Sequence, residues 1–174
     1  MEIKGLPKER SRFLQDFAAS WMSKMMHCRN PFPLSDRLDA KLQSVVSFWE
    51  RLKRGENGMP FSDDLGVPAL FNLPGNPFLL SASASPERYR FEFLSESLRR
   101  EAALGRFVDE IPANSNFSYL RAQSSATIEA AEPTLFHLTD LSGYRFSRAL
   151  LPLWGNGQVN MLLGAFDNVQ VSCS

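Results

Sequence analysis

Long apolar runs, an excess of one charge and cysteine are all missing or scarce in this sequence of 174 residues. No run of about 18 apolar residues is present, which argues against a transmembrane helix. Lysine and arginine together number 19, as do aspartate and glutamate, so the zero net charge gives no support for nucleic-acid binding. The two cysteines, Cys28 and Cys173, lie near opposite ends of the chain and predict neither a disulfide framework nor a zinc site.

Sequence signals for export and for phosphate binding are missing as well. The first residues alternate charged and apolar side chains rather than following the layout of a signal peptide, which predicts a cytoplasmic protein. The glycines at 55–58 are not followed by Lys and Ser or Thr, so they do not form a phosphate-binding loop. Apolar residues make up 44% and charged residues 22%, values typical of globular proteins. A chain of this length predicts one domain with a substantial core and an appendage.

The first helical pattern covers residues 11–27, where apolar side chains recur every three or four positions and form one stripe. This stripe has three interpretations: packing on the domain's own sheet, pairing with its copy in a homodimer, or docking on a partner or membrane surface. Its methionines suit a surface that adapts to varied partners. The candidate interface residues are Phe13, Phe17, Trp21, Met22 and Met25.

A second helical pattern follows at residues 36–54, and a connector rich in Gly, Pro, Asn and Asp leads on to the first strand. The predicted organisation therefore has four parts along the chain. They are an N-terminal amphipathic helix extension (1–35), a lead-in helix with its connector (36–76), a domain (77–167) and a C-terminal tail (168–174).

From residue 77 onward the pattern predicts two strands, a helical region and three further strands. The strands are expected at residues 78–84, 88–94, 134–141, 144–153 and 159–166. Residues 96–132 are expected to be helical, with breaks at Gly105 and Pro112 and the longest helix starting at Asn114 or Ser115. The last strand is apolar on both faces, which predicts a central position in the sheet and helical covers on both sides. The N-terminal helices are expected to provide one cover and the helices between the strand groups the other.

Several short motifs resemble a known family. Residues 146–153 read Phe-Ser-Arg-Ala-Leu-Leu-Pro-Leu, followed by Gly-Asn-Gly and the apolar last strand. With Leu-Gly-Arg-Phe at 104–107 and Trp49 in a helix that ends in Arg and Gly, this resembles the single-domain PAS family common in alphaproteobacteria. The resemblance covers roughly residues 38–167 and departs from the family at residues 94–96, where a glycine is usual. It implies an α+β fold, with a PAS-like five-stranded antiparallel sheet, inserted helices and an N-terminal helical extension.

The resemblance implies a stand-alone sensory or signalling module that acts through protein–protein interaction, with a small-molecule ligand between sheet and helices. The alternative is a ligand-free interaction or scaffold domain that uses the same sheet. In either case, engagement of the cleft or the sheet is expected to shift the packing of helices. No kinase, cyclase or DNA-binding segment is recognised after Phe166, so the output is expected to pass through a protein partner, with a homodimer as the favoured assembly. The helical middle lacks the cysteine of a flavin-adduct photosensor, and no cofactor is expected.

Five residues are candidates for lining a ligand pocket: Phe91, Tyr119, Arg121, His137 and Arg148. Alternation places Arg148 among apolar side chains, so its guanidinium is expected either to extend past a covering helix to solvent or to meet a buried anion. That anion is expected to be a small carboxylate ligand, bound with Tyr119 or Arg121, or a protein carboxylate. His137 has no Cys, His or carboxylate neighbour and is interpreted as a structural or surface histidine rather than a metal ligand. The sequence shows no convergent set of titratable groups, so no enzyme activity is expected.

Overall fold

A computed structural model describes residues 30–84, 87–112, 115–139 and 145–167. The N-terminal stripe and the tail at 168–174 lie outside the described residues, and so do all five candidate interface residues: Phe13, Phe17, Trp21, Met22 and Met25.

The described chain forms one five-stranded antiparallel sheet with the strand order β2-β1-β5-β4-β3. The early strand pair and the late three strands therefore join through β1 and β5, and β5 is central as expected. This confirms the expected α+β class and is consistent with a PAS-like fold. The strands are β1 (Phe78–Ala84), β2 (Glu87–Leu94), β3 (Thr134–Thr139), β4 (Arg145–Gly155) and β5 (Gln158–Phe166).

Helices cover both faces of the sheet, and each cover has its own apolar core. The α-helices are α1 (Ala40–Arg51), α2 (Val67–Leu70) and α3 (Leu120–Ala130), and single 3₁₀ turns lie at Ser62–Asp64, Glu96–Leu98 and Val108–Glu110. The α1-side core joins helix α1 to one face of the sheet through Leu42, Val45, Trp49, Leu151 and Leu163. The α3-side core fills the other face with Phe78, Phe91, Phe117, Leu120 and Phe166.

The second helical pattern is shorter than predicted, since α1 spans Ala40–Arg51 rather than residues 36–54. Asp39 is the N-cap of α1, because its side chain accepts a hydrogen bond from the Lys41 amide at 2.9 Å. The segment before Asp39 is irregular. Trp49 is buried, and its Nε1–H donates to the carbonyl of Pro152 at 2.8 Å. The lead-in helix is thereby attached to β4 and shares a core with the sheet.

The prediction of helical structure over residues 96–132 is wrong for most of that range. Among the described residues of this range, α3 is the only α-helix, and it starts at Leu120 instead of Asn114 or Ser115. Tyr119 adopts a φ of 58°, in the left-handed region, so the helix cannot continue toward residue 115. Ser115 instead accepts turn hydrogen bonds, and Asn114 lies outside the described residues.

Within the described ranges, none of the helices is both long and apolar enough to cross a bilayer.

Gly164 lies directly beneath the ring of Phe78 at the junction of β1 and β5. The two residues are paired across the strands, and a Cβ added to Gly164 would lie 2.0 Å from Cζ of Phe78. The Phe78 ring is fully buried and packs against Phe117 and Phe166, with centroid separations of 5.7 and 5.4 Å. The absence of a side chain at Gly164 therefore lets the aromatic part of the core lie flat on the central strand.

Replacing Gly164 by alanine should destabilise the protein by about 1–3 kcal/mol, because the new methyl group displaces the Phe78 ring from a packed core. Urea unfolding followed by fluorescence measures the loss. Gly58→Ala is the matched control, since a Cβ there meets nothing within 4 Å, and its effect should stay within about 0.5 kcal/mol. Equal unfolding midpoints for the two variants would contradict the close ring-on-glycine packing.

Candidate functional site

The structure does not bring the five predicted pocket residues together. Phe91 and Arg148 are fully buried on the α3 side of the sheet, whereas Tyr119 is 67% exposed and Arg121 is also exposed. His137 lies on the opposite face of β3 from Phe136, the residue paired with Arg148, and its Nδ1 is 2.6 Å from Ser147 Oγ. The position of His137 on the surface agrees with its interpretation as a surface histidine, and it does not line a pocket with Arg148.

Arg148 is satisfied by groups that the sequence pattern did not suggest. Its Nε–H donates to Gln123 Oε1 at 2.8 Å, and its Nη1 and Nη2 donate to the carbonyls of Asn116 and Ser118 at 2.9 and 3.0 Å. The guanidinium also lies against the ring of Phe136, 4.9 Å from its centroid. Within the described ranges, Arg148 has no carboxylate partner within salt-bridge distance. The expected pairing with a protein carboxylate is therefore not found in these ranges.

Burial alone lowers the pKa of Arg148 to about 9, which still leaves the guanidinium protonated at neutral pH. A buried charge without a counterion is costly unless directional hydrogen bonds replace its hydration. Two backbone carbonyls and one amide oxygen provide those bonds here, in the planar fork that a guanidinium requires. Arg148 therefore acts as a connection between β4 and the segment that enters α3.

Gln123 completes this connection from the helix side. Its Nε2 donates to Thr134 Oγ1 and to the carbonyl of Arg148, both at 3.1 Å. The hydroxyls of Thr127 and Thr134 are 2.6 Å apart, so β3 and α3 are joined by a second buried contact. A polar network thus runs from β4 through α3 to β3. The sequence signal for it was weak: Gln123 and Thr127 share a helix face and are four residues apart.

An Arg148→Lys substitution should destabilise the protein by about 2–4 kcal/mol, since an ammonium cannot reach all three acceptors and leaves buried oxygens without donors. Arg121→Lys, at an exposed position of α3, is the control and should change the free energy of unfolding by less than about 0.5 kcal/mol. Chemical denaturation at pH 7 measures the free energy of unfolding of both variants. A loss of similar size in the two would show that the buried hydrogen bonds contribute little.

An open cleft of about 430 Å³ lies at the end of the layer between the sheet and α3. Its floor continues the α3-side core, because Tyr89 and Val159 belong to that core and Ala82 and Ile128 pack against it. Space remains there because the last residues of β1 have small side chains, and α3 presents Ser125. The lining residues are Ala82, Ser83, Ala84, Glu87, Tyr89, Ser125, Ile128, Glu129, Gln158 and Val159.

Three of the lining residues form a closed hydrogen-bonded group. Oε1 of Glu87 accepts hydrogen bonds from the hydroxyls of Tyr89 and Ser125, and these two hydroxyl oxygens lie 3.2 Å apart. The bonds from Ser125 and then from Tyr89 lower the pKa of Glu87 below its ordinary value. Burial, followed by the bond to Glu87, raises the pKa of Tyr89. At neutral pH the group therefore consists of one carboxylate and two neutral hydroxyls.

This arrangement presents a carboxylate and two hydroxyls that a ligand can hydrogen-bond. A carboxylate whose pKa is lowered is a weak general base, and among the described residues the hydroxyl of Ser125 is hydrogen-bonded to Glu87 and Tyr89 and not to a histidine. Across the described residues, no group of three or more His, Cys, Asp or Glu side chains is placed to hold a metal ion. The cleft was missed in the sequence because its small strand residues, 82–84, were interpreted only as part of a strand.

Replacing Glu87 by glutamine should reduce stability above about pH 5 and make little difference near pH 3. The lowered pKa means that the ionised carboxylate stabilises the folded state above the ordinary Glu pKa of about 4.3, and this contribution is lost as pH falls through the lowered value. Glu87 is exposed, so solvent screening limits the effect to roughly 0.5 kcal/mol. Unfolding curves at pH 6 and pH 3 test the direction of this pH dependence, with Glu56→Gln on the exposed connector as control. A larger loss at pH 3 than at pH 6 would contradict it.

No family model matches the chain, and searches of curated proteins and of solved structures also find no match.

Proposed function

We propose that this protein is a PAS-like sensory or signalling module that binds a small molecule in the cleft and acts through protein–protein interaction. The observation that carries the proposal is the cleft itself. It opens from the layer between the sheet and the helices, and it combines apolar walls with an oriented carboxylate and hydroxyls. Its volume of about 430 Å³ falls within the range of small-molecule sites, roughly 300–1,000 Å³.

Helix α3 is the element through which the cleft acts in this proposal. Its residues Ser125 and Ile128 form one wall of the cleft, while Gln123 belongs to the buried network around Arg148. A ligand that favours one position of α3 shifts the population of helix arrangements by its difference in affinity for them. The polar network carries that shift to the turn at residues 115–119, where the helix begins.

The output surface in this proposal is an aromatic patch beside the start of α3. Exposed Tyr119 lies 5.7 Å from the ring of Phe136, and Phe32 packs edge-on against the same ring at 6.0 Å. Exposed aromatic side chains of this kind are enriched in protein interfaces. A protein partner, or a second copy of the chain, that docks on this patch would respond to a movement of the turn.

The alternative function, a ligand-free interaction domain, has one specific observation in its favour. The centre of the α3-side layer is filled by buried aromatic rings, with Phe91 and Phe117 only 5.0 Å apart. A filled centre leaves the ligand only the open end of the layer. The two proposals therefore differ in whether the cleft is occupied during function.

The test compares the full-length wild-type protein with Ala84→Trp, which places a large ring at the rim of the cleft. Gln43→Trp, at an exposed position of α1, is the control. A metabolite panel is screened by thermal unfolding, and a compound at 100 times its Kd should raise Tm by roughly 5 °C in wild type and control. The same compound should have little effect on Ala84→Trp.

Native mass spectrometry of the three purified proteins provides a second measurement, because a retained small molecule should be lost only from Ala84→Trp. Compounds that stabilise all three proteins equally, together with partner capture that is unaffected by Ala84→Trp, would favour the ligand-free alternative.

A further inference from the structure

The charged side chains that line the cleft all carry the same sign. Glu87 and Glu129 contribute carboxylates, and the other polar lining groups are hydroxyls and the amide of Gln158. Among the described residues, no lysine, arginine or histidine lines the cleft. An anionic ligand would therefore meet repulsion without a compensating cation in the cleft wall.

Glu87 is oriented, but only half of its carboxylate is used by the protein. Oε1 accepts from Tyr89 and Ser125, whereas Oε2 accepts no hydrogen bond from the described residues. The two hydroxyls fix the direction of the carboxylate and hold it in the ionised form. A second oxygen thus remains available to a donor that enters the cleft.

Arg121 is a positive charge that affects Glu87 without direct contact. Arg121 acts on this carboxylate only through space, and it does not line the cleft. In the described part of the chain, Glu87 forms no ion pair within salt-bridge distance. A ligand ammonium would therefore not have to displace an existing ion pair.

Below the carboxylates the cleft is apolar. Ala82, Ile128 and Val159 form this part and connect it to the α3-side core. A hydrocarbon chain of a few carbons would be removed from water there, at about 0.8 kcal/mol for each buried CH₂ group. The cleft therefore offers an acceptor for a cationic donor at its rim and an apolar surface deeper in.

We infer that the cleft selects a small ammonium ion with a short apolar chain, of the alkylamine class, in which the nitrogen donates to Glu87 and the chain lies along Ala82, Ile128 and Val159. This inference rests on the proposed function and names the chemistry of its ligand. The hydroxyl of Ser125 and the carboxylate of Glu129 also line the cleft and carry further acceptor oxygens. A charge-assisted bond of this type is about twice as strong as a neutral one.

The test uses three probes of equal chain length on the full chain: n-pentylamine, 1-pentanol and pentanoate. Titrations are followed by amide chemical shifts in two-dimensional NMR. Pentylamine should shift cleft amides with a Kd about tenfold lower than that of pentanol, and pentanoate should leave them unchanged. Pentylamine binding should also weaken as salt is raised from 20 to about 500 mM.

Three variants distinguish the contribution of the carboxylate charge to binding from that of the apolar cleft. Glu87→Gln should weaken pentylamine about tenfold and leave pentanol within about twofold, since it removes the charge at nearly constant shape. Glu129→Gln is a second variant on an exposed helix position, with an expected loss of about threefold. Glu56→Gln on the connector is the matched control and should change neither affinity.

Two results would overturn the inference, and each has a different meaning for the proposed function. Tighter binding of pentanol or pentanoate at the cleft would refute the amine preference while retaining a ligand site. No cleft shifts with any probe at tens of millimolar would also refute it, and the comparison of wild type with Ala84→Trp would then decide the proposed function on its own.

Discussion

The buried guanidinium of Arg148 connects parts of the fold that share no backbone pairing. It emerges from β4 and donates to the carbonyls of Asn116 and Ser118 and to Gln123 on α3. Since the acceptors are neutral, directional hydrogen bonds, together with the contact between the guanidinium and the Phe136 ring, offset the cost of removing the cation from water. This requirement fixes where α3 begins and how it lies on the sheet. The position of the cleft depends on that placement, because the wall of the cleft is the second half of the same helix.

The two faces of the sheet are covered in different ways. Helix α1 covers its face with a continuous apolar stripe and attaches through Trp49 to the carbonyl of Pro152. On the other face α3 has 11 residues and spans roughly 16 Å at 1.5 Å per residue, less than the breadth of a five-stranded sheet. Aromatic side chains around Phe78 fill the centre of this face. At the end of β1, where the side chains are small, the helix and the sheet leave the cleft between them.

The strands were predictable because each carries its own local signal. Alternation in β2 and the apolar run of β5 depend only on neighbouring residues, and both strands were placed to within one residue. The segment before α3 was not predictable in this way. Tyr119, with a left-handed backbone, ends the helix on its N-terminal side, and the preceding residue, Ser118, accepts a hydrogen bond from the distant Arg148. The partners of Arg148 were missed for the same reason: Asn116 and Ser118 contribute backbone carbonyls, which carry no sequence signature.

The sequence by itself determined the α+β class, the five strands, the central place of β5 and the two apolar covers, because hydrophobic periodicity records which faces leave water. Only the tertiary structure decided that His137 and Arg148 lie on opposite faces of the sheet and that a glutamine and two carbonyls replace the expected carboxylate. It also decided that Glu87, Tyr89 and Ser125 are in contact. These are contacts between residues as many as 38 positions apart. They depend on register and on the direction of individual hydrogen bonds, and neither is encoded in the spacing of residue types along the chain.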